Sequence, residues 1–167
     1  DSLDTIMERG NVALEVDAFE AMANHEGALV LDTRSPQEFS AGHVPSSIFI
    51  GVDGNFAPWV GALIKDLQQP IVFVAPEGRE EEVVTRLSRV GYDNTLGFLK
   101  GGIDAWRAAG KGAGTVEDIT ANQLADRMET ELDILDVRKP GEFSGEHIDG
   151  AVNLPLDYIN DNMEKIE

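Results

Sequence analysis

The sequence predicts an α/β fold: a central, mainly parallel sheet flanked by helices, followed by the first half of a second copy of the same unit. Three observations predict it. Short apolar runs alternate with helix-like segments, the pattern of a parallel sheet covered on both faces. The run Ile71-Val72-Phe73-Val74 is continuous rather than alternating, as a strand buried on both faces requires. Residues 31–50, LDTRSPQEFSAGHVPSSIFI, return as LDVRKPGEFSGEHIDGAVNL at 135–154, at a constant offset of 104. Eight of the twenty aligned positions are identical: Leu31/Leu135, Asp32/Asp136, Arg34/Arg138, Pro36/Pro140, Glu38/Glu142, Phe39/Phe143, Ser40/Ser144 and His43/His147. A gap-free match about one domain apart is an internal repeat.

In the first copy, Asp17 is placed to cap a helix running through His25. Ala28 to Leu31 reads as a strand, and Pro36 to Ala41 as a short helix with Pro in its first turn. Ile48 to Ile50 is a second strand, Ala57 to Leu67 is helical in pattern, and Ile71 to Val74 is a third strand. Glu81 to Val90 is a helix closed by Gly91, Leu96 to Leu99 a fourth strand, and Ile103 to Ala109 a last helix closed by Gly110. Lys111-Gly112-Ala113-Gly114 has linker composition. In the second copy, Thr120 caps a helix over Ala121 to Met128, Asp133 to Leu135 is a strand, and a helix is expected over Leu156 to Ile166. This divides the chain into 1–110, a linker at 111–114, and a half unit at 115–167. The counterpart of Ile71 to Val74 falls just beyond Glu167, so the half unit is expected to expose an apolar strand edge that pairs with something. Asp1 rather than Met at the first position gives the expectation of an excised piece.

Composition narrows the function. The net charge is −18, from 13 Lys+Arg against 31 Asp+Glu, which argues against nucleic acid and anionic membranes as partners. Hydrophobic residues make up 42%, sufficient for a packed core. There is no cysteine, hence no disulfide, no thiolate metal site and no thiolate nucleophile; a cytoplasmic origin fits.

The loop Ala75-Pro76-Glu77-Gly78-Arg79-Glu80 lies between the central apolar strand and a helix start. A strand, a glycine-bearing loop and a helix N-terminus are the parts of an anion cradle. Around it stand Asp32-x-Arg34, Glu38-Phe39, Gly42-His43-x-Pro45, Gly91-Tyr92 and Gly101-Gly102-Ile103-Asp104-Ala105-Trp106. In that order these resemble rhodanese-like domains, over roughly residues 12 to 110 and the first half of a second module. The resemblance implies a parallel sheet with an active-site loop after its central strand. In catalytic members that loop follows a pattern like Cys-Arg-x-Gly-x-Arg, with the cysteine held as a persulfide. Here Ala75 stands at the cysteine position, Pro76 and Glu80 at the two arginine positions. No catalytic residue is therefore expected in this chain.

The remaining motif residues invite a structural reading beside a functional one. Arg79 is expected to form a surface ion pair with its neighbours Glu77 and Glu81 rather than to hold an anion. Asp32 and Arg34, with Asp136 and Arg138, sit just past strand ends. Both copies keep them, one with a degenerate loop, which favours fixing a turn over lining a pocket. His43 and His147 follow the same logic, and neither has a second histidine at metal-ligand spacing. Trp106 reads as core; Trp59, with Phe56 and Pro58, reads either as a contact surface or as cover for the sheet.

The paired arrangement resembles tandem rhodanese-like modules at the C-terminus of metallo-β-lactamase-fold hydrolases. The resemblance implies a fused metal-binding catalytic domain. It leaves this chain itself without cofactor or metal, serving packing, partner binding or self-association. The alternative is a sulfurtransferase whose cysteine lies in the remainder of the second module.

Overall fold

The structure, a computed structural model, describes residues 2–166. It divides after Glu117 into two compact units.

The first unit is built on a five-stranded parallel sheet. Its strands are β1 (Ala13–Leu14), β2 (Leu29–Asp32), β3 (Ile48–Phe49), β4 (Ile71–Val74) and β5 (Thr95–Leu99), in the order β1-β5-β4-β2-β3. The central strand β4 is buried at all four residues. Successive side chains alternate between faces: Ile71 and Phe73 join one core cluster with Leu31, Val60, Val83 and Leu87. Val72 and Val74 join the other, with Phe19, Val30, Val44 and Trp106. The helices that cover the sheet are α1 (Leu3–Gly10), α2 (Val16–His25), α3 (Pro36–Ala41), α4 (Phe56–Leu63), α5 (Glu80–Arg89) and α6 (Gly102–Ala108).

Several elements differ from expectation. Helix α1 and strand β1 were not anticipated; Ser2 caps α1, and Ile6 carries it into the core. Asp17 does not cap α2. It lies inside the first turn, with Glu15 at the cap position, where a carboxylate favours the helix dipole. Helix α4 stops at Leu63 because the Ile64 backbone is extended, and the Tyr92 hydroxyl donates to the Ile64 carbonyl. The segment of linker composition lies along the first unit: Gly114 and His43 exchange backbone hydrogen bonds at 3.0 and 2.8 Å, and the Trp106 indole N–H donates to the Gly112 carbonyl at 2.9 Å.

The second unit holds α7 (Ala121–Arg127), β6 (Leu135–Asp136), α8 (Pro140–Gly145) and β7 (Val152–Asn153). Thr120 and Gln123 form a reciprocal capping box at the start of α7. Strands β6 and β7 pair in parallel as Leu135↔Val152 and Asp136↔Asn153, the register of Leu31↔Ile48 and Asp32↔Phe49 moved by the repeat offset. The helix expected over Leu156 to Ile166 is instead two 3-10 turns, Leu156–Asp161 and Met163–Lys165, with non-helical backbone at Tyr158. Tyr158 and Met163 are exposed; a short helix that buries no apolar face is marginal in water. Among the described residues, no helix is long and apolar enough to cross a membrane.

Candidate functional site

The loop at the C-terminal end of β4 runs from Ala75 to the start of α5. The Arg79 amide donates to the Pro76 carbonyl at 3.0 Å, closing a four-residue turn. Its third residue, Gly78, has φ +80°, the left-handed conformation that a type II turn demands at that place. Ala75 is half-buried against the core and brings only a methyl group to the loop. The Gly78 amide, a donor of the would-be cradle, is taken: the Glu80 carboxylate accepts from it at 3.2 Å. Glu80, Glu81 and Glu82 fill the first turn of α5, opposite the helix dipole's positive end.

Arg79 is paired, but not with Glu77 or Glu81. Its guanidinium grips Glu82 one turn on, with Nε at 2.7 Å, and reaches Asp53 across the loop after β3, with Nη1 at 2.9 Å. The helix places residues three apart on one face, which favours Glu82. Asp53 is 26 positions away in the chain and reaches Arg79 only through the sheet, so nothing in the sequence marked it. Arg86 adds to the cluster, bonding Glu82 at 2.7 Å and the Val52 carbonyl at 2.7 Å. The hydrogen bonds to Arg79 hold the Asp53 and Glu82 carboxyls below the usual range, and those two acids, Glu82 foremost, push the guanidinium up. The loop's one arginine is thus committed to carboxylates of the chain itself.

Asp32 and Arg34 form a buried bidentate pair: Nε to Oδ1 at 3.0 Å and Nη2 to Oδ2 at 2.7 Å. Nη2 also donates to the Gly42 carbonyl at 2.7 Å, tying the end of β2 to the end of α3. Asp136 and Arg138 repeat this at 3.0 and 2.6 Å, with Glu146 supplying the carbonyl at 2.9 Å. The Arg138 hydrogen bonds hold the Asp136 carboxyl down, and Asp136 raises Arg138. His43 Nδ1 lies 2.9 Å from the Phe39 carbonyl and His147 Nδ1 2.8 Å from that of Phe143. A carbonyl only accepts, so Nδ1 carries the proton in both. Each imidazole stacks on the same phenylalanine, centroids 3.9 Å apart. Trp106 is buried edge-on to Phe19, and Trp59 is half-buried over the core. The structure places Asp32, Arg34 and His43 around the β2–α3 turn, Asp136, Arg138 and His147 around its copy, and Ala75 to Glu80 in a separate loop. Among the described residues, no three His, Asp or Glu side chains are grouped to hold a metal ion.

The comparisons with known proteins agree with this architecture. The family model of the rhodanese-like domain matches residues 15–109 and again 120–167; the chain belongs to that family, and carries the domain in repeat. It is 28% identical over 89 residues to the thiosulfate sulfurtransferase GlpE of Pseudoalteromonas translucida (strain TAC 125), across 53% of this chain and 81% of that one. Among solved structures it resembles the thiosulfate sulfurtransferase of Pseudomonas aeruginosa, with a TM-score of 0.53 and 19% identity over 95% of this chain and 37% of that one. This chain thus spans little more than a third of that protein. The rhodanese-like domain of the Alr3790 protein from Anabaena sp. matches with a TM-score of 0.54 and 15% identity, over 76% of this chain and 91% of that one. At these identities the structural likeness shows the fold alone.

Proposed function

We propose that this chain is a non-catalytic rhodanese-like module that serves packing, partner binding or the positioning of a catalytic unit fused to it, of the metallo-β-lactamase-fold hydrolase kind. One observation carries the reading. The loop after β4 holds Ala75 where catalytic relatives hold cysteine, and its Gly78 amide is occupied by Glu80. Sulfur transfer through a persulfide needs a thiolate to take the sulfane sulfur, and the chain has no cysteine. It also needs donors free to hold the charge that develops; here carboxylates stand in that position and repel an anion such as thiosulfate.

The experiment is a thiosulfate-to-cyanide sulfur-transfer assay on the purified chain. The expected result is no turnover above the protein-free blank; turnover that scales with protein concentration overturns the reading. Ala75→Cys alone is expected to stay inactive, because the nearby Glu80 carboxylate raises the thiol's pKa and disfavours the thiolate.

A second reading is favoured by the match to a relative named a thiosulfate sulfurtransferase. In it, the whole protein transfers sulfur through a cysteine in the remainder of the repeated module, and the first unit is its silent half. A cysteine directly after the counterpart of β4 in the full-length protein, together with turnover there and none in this chain, selects this reading over the first.

A further inference from the structure

The chain contains two Asp-Gly pairs, Asp53-Gly54 and Asp149-Gly150. A glycine amide has no Cβ beside it, so it approaches the carboxyl of the preceding aspartate with little hindrance. Attack of that nitrogen on Cγ closes a five-membered succinimide. Exposure does not separate the two pairs, since all four residues are exposed. Their hydrogen bonds do.

At Asp53-Gly54 both reacting groups are held. The Gly54 amide donates to the Gly51 carbonyl at 3.2 Å. The Asp53 carboxylate accepts from Arg79 Nη1 at 2.9 Å and lies 2.8 Å from Nη2. That pairing keeps the carboxyl ionised, and a carboxylate is a poor electrophile because neither oxygen leaves readily as water. At Asp149-Gly150 neither group is held. Among the described residues, the Asp149 carboxyl has no hydrogen-bond or ion-pair partner and the Gly150 amide has no acceptor.

The repeat shows how the second pair arose within the fold. Asp149 and Gly150 are the middle of the turn Ile148-Asp149-Gly150-Ala151, closed by the Ala151 amide on the Ile148 carbonyl at 3.0 Å. The first unit builds the same turn as Val44-Pro45-Ser46-Ser47, closed at 3.2 Å. Its third residue, Ser46, has φ +64°, and the copy, Gly150, has φ +85°. A residue with a Cβ is disfavoured in this conformation. The first unit thus carries a strained serine after a proline that has no carboxyl. The second carries an unstrained glycine after an aspartate, which relieves the strain and creates a reactive pair.

We infer that Asp149 is a site of spontaneous backbone isomerisation, and that Arg79 shields Asp53 from the same reaction. The Gly150 nitrogen bonds to Asp149 Cγ, the Cγ–OH bond breaks, and the hydroxyl leaves with the amide proton as water. The succinimide then takes up one water. Opening at Cγ restores aspartate; opening at the main-chain carbonyl carbon leaves isoaspartate, with the chain running through Cβ and Cγ. No oxidation or reduction is involved. Isoaspartate adds one methylene to the backbone of the turn that leads into β7. There the Val152 amide donates to the Ile134 carbonyl and that of Leu154 to Asp136, both at 2.9 Å, so the modification loosens the second unit and spares the first. The inference does not rest on whether the loop after β4 is catalytic.

The purified 167-residue chain is incubated warm at mildly acidic pH, digested, and read by mass spectrometry with electron-transfer fragmentation, which separates isoaspartate from aspartate. Isoaspartate is expected to accumulate several-fold faster at residue 149 than at residue 53. Gly150→Ser, which copies the Ser46 turn, is expected to slow residue 149 by roughly threefold or more. Arg79→Ala is expected to speed residue 53 by roughly threefold or more and to leave residue 149 unchanged. Arg79→Lys, which keeps a cation beside the carboxylate, is expected to hold residue 53 near its original rate. Amide exchange at residues 152–154 is expected to rise with the isoaspartate fraction while exchange in β2 and β4 stays constant. Equal rates at the two aspartates, a faster rate at residue 53, or a residue 53 rate untouched by Arg79→Ala each overturns the assignment.

Discussion

The two copies of the Asp-x-Arg turn have the same geometry and opposite surroundings. Asp32–Arg34 and Asp136–Arg138 each make three side-chain hydrogen bonds, and the arginine makes one more to a carbonyl eight residues on, at distances matching within about 0.2 Å. Yet the first pair is 0% and 8% exposed and the second 12% and 47%. Leu31 is fully buried, whereas its copy Leu135 is 42% exposed. The hydrogen bonds span at most eight residues, so local sequence suffices to form them. Burial comes from elsewhere: β4 lies beside β2, and among the described residues β6 pairs with β7 alone. One motif thus serves as a buried tie in one unit and as a solvent-exposed clip in the other.

The largest expected break in the comparison is at the arginines. Arg34→Ala leaves Asp32 buried and unpaired, and is expected to cost the first unit about 3–5 kcal/mol. Arg138→Ala is expected to have a far smaller effect, since water replaces the lost partner. Denaturant unfolding followed by amide exchange in each unit checks both, and equal losses would break the comparison. Next come the leucines: Leu31→Ala is expected to cost about 2–5 kcal/mol, and Leu135→Ala about 0.5 kcal/mol or less, by the same measurement. The helix caps sharpen the comparison further. Ser35 and Glu38 form a full capping box, while at the copied position Lys139 only donates its amide to Glu142 at 3.2 Å. Ser35→Ala is expected to cost about 1 kcal/mol, and Lys139→Ser to return part of that to the second unit by completing its box.

The smallest effect is in acid. The folded-state pKa of Asp136 is depressed by Arg138 below its ordinary value of 3.8. Its contribution is therefore present above that value and fades as pH falls through the folded-state one. A carboxyl-detected NMR titration is expected to place the Asp136 midpoint below that of an unpaired aspartate. In Arg138→Ala it should return to the ordinary value, and an unmoved midpoint would show that the pair is not the cause.

Much of the fold was legible beforehand. The strand Ile71–Val74, the helix Pro36–Ala41 and the Thr120 cap stand where the apolar runs and capping residues place them, because each depends on residues adjacent in the chain. Helix α1 was not legible, since its buried residues, Ile6 and Gly10, acquire meaning only against β5 and α5. The helix expected at Leu156 to Ile166 carried adequate propensity, but it buries none of its residues. Proximity in the chain points Arg79 to Glu77 and Glu81, whereas its partners are Glu82, set by the helix turn, and Asp53, brought near by the sheet.

By itself the sequence determined the parallel α/β class, the repeat at its constant offset, the local turn chemistry of Asp-x-Arg and the absence of any thiolate. All of these follow from short-range pattern or composition. Only the tertiary structure decided which copy of that turn is buried, that Glu80 occupies the Gly78 amide, and that Asp53 and Glu82 hold Arg79. Each depends on how strands distant in the chain stack in the sheet, which hydrophobic burial sets and no local window of residues contains.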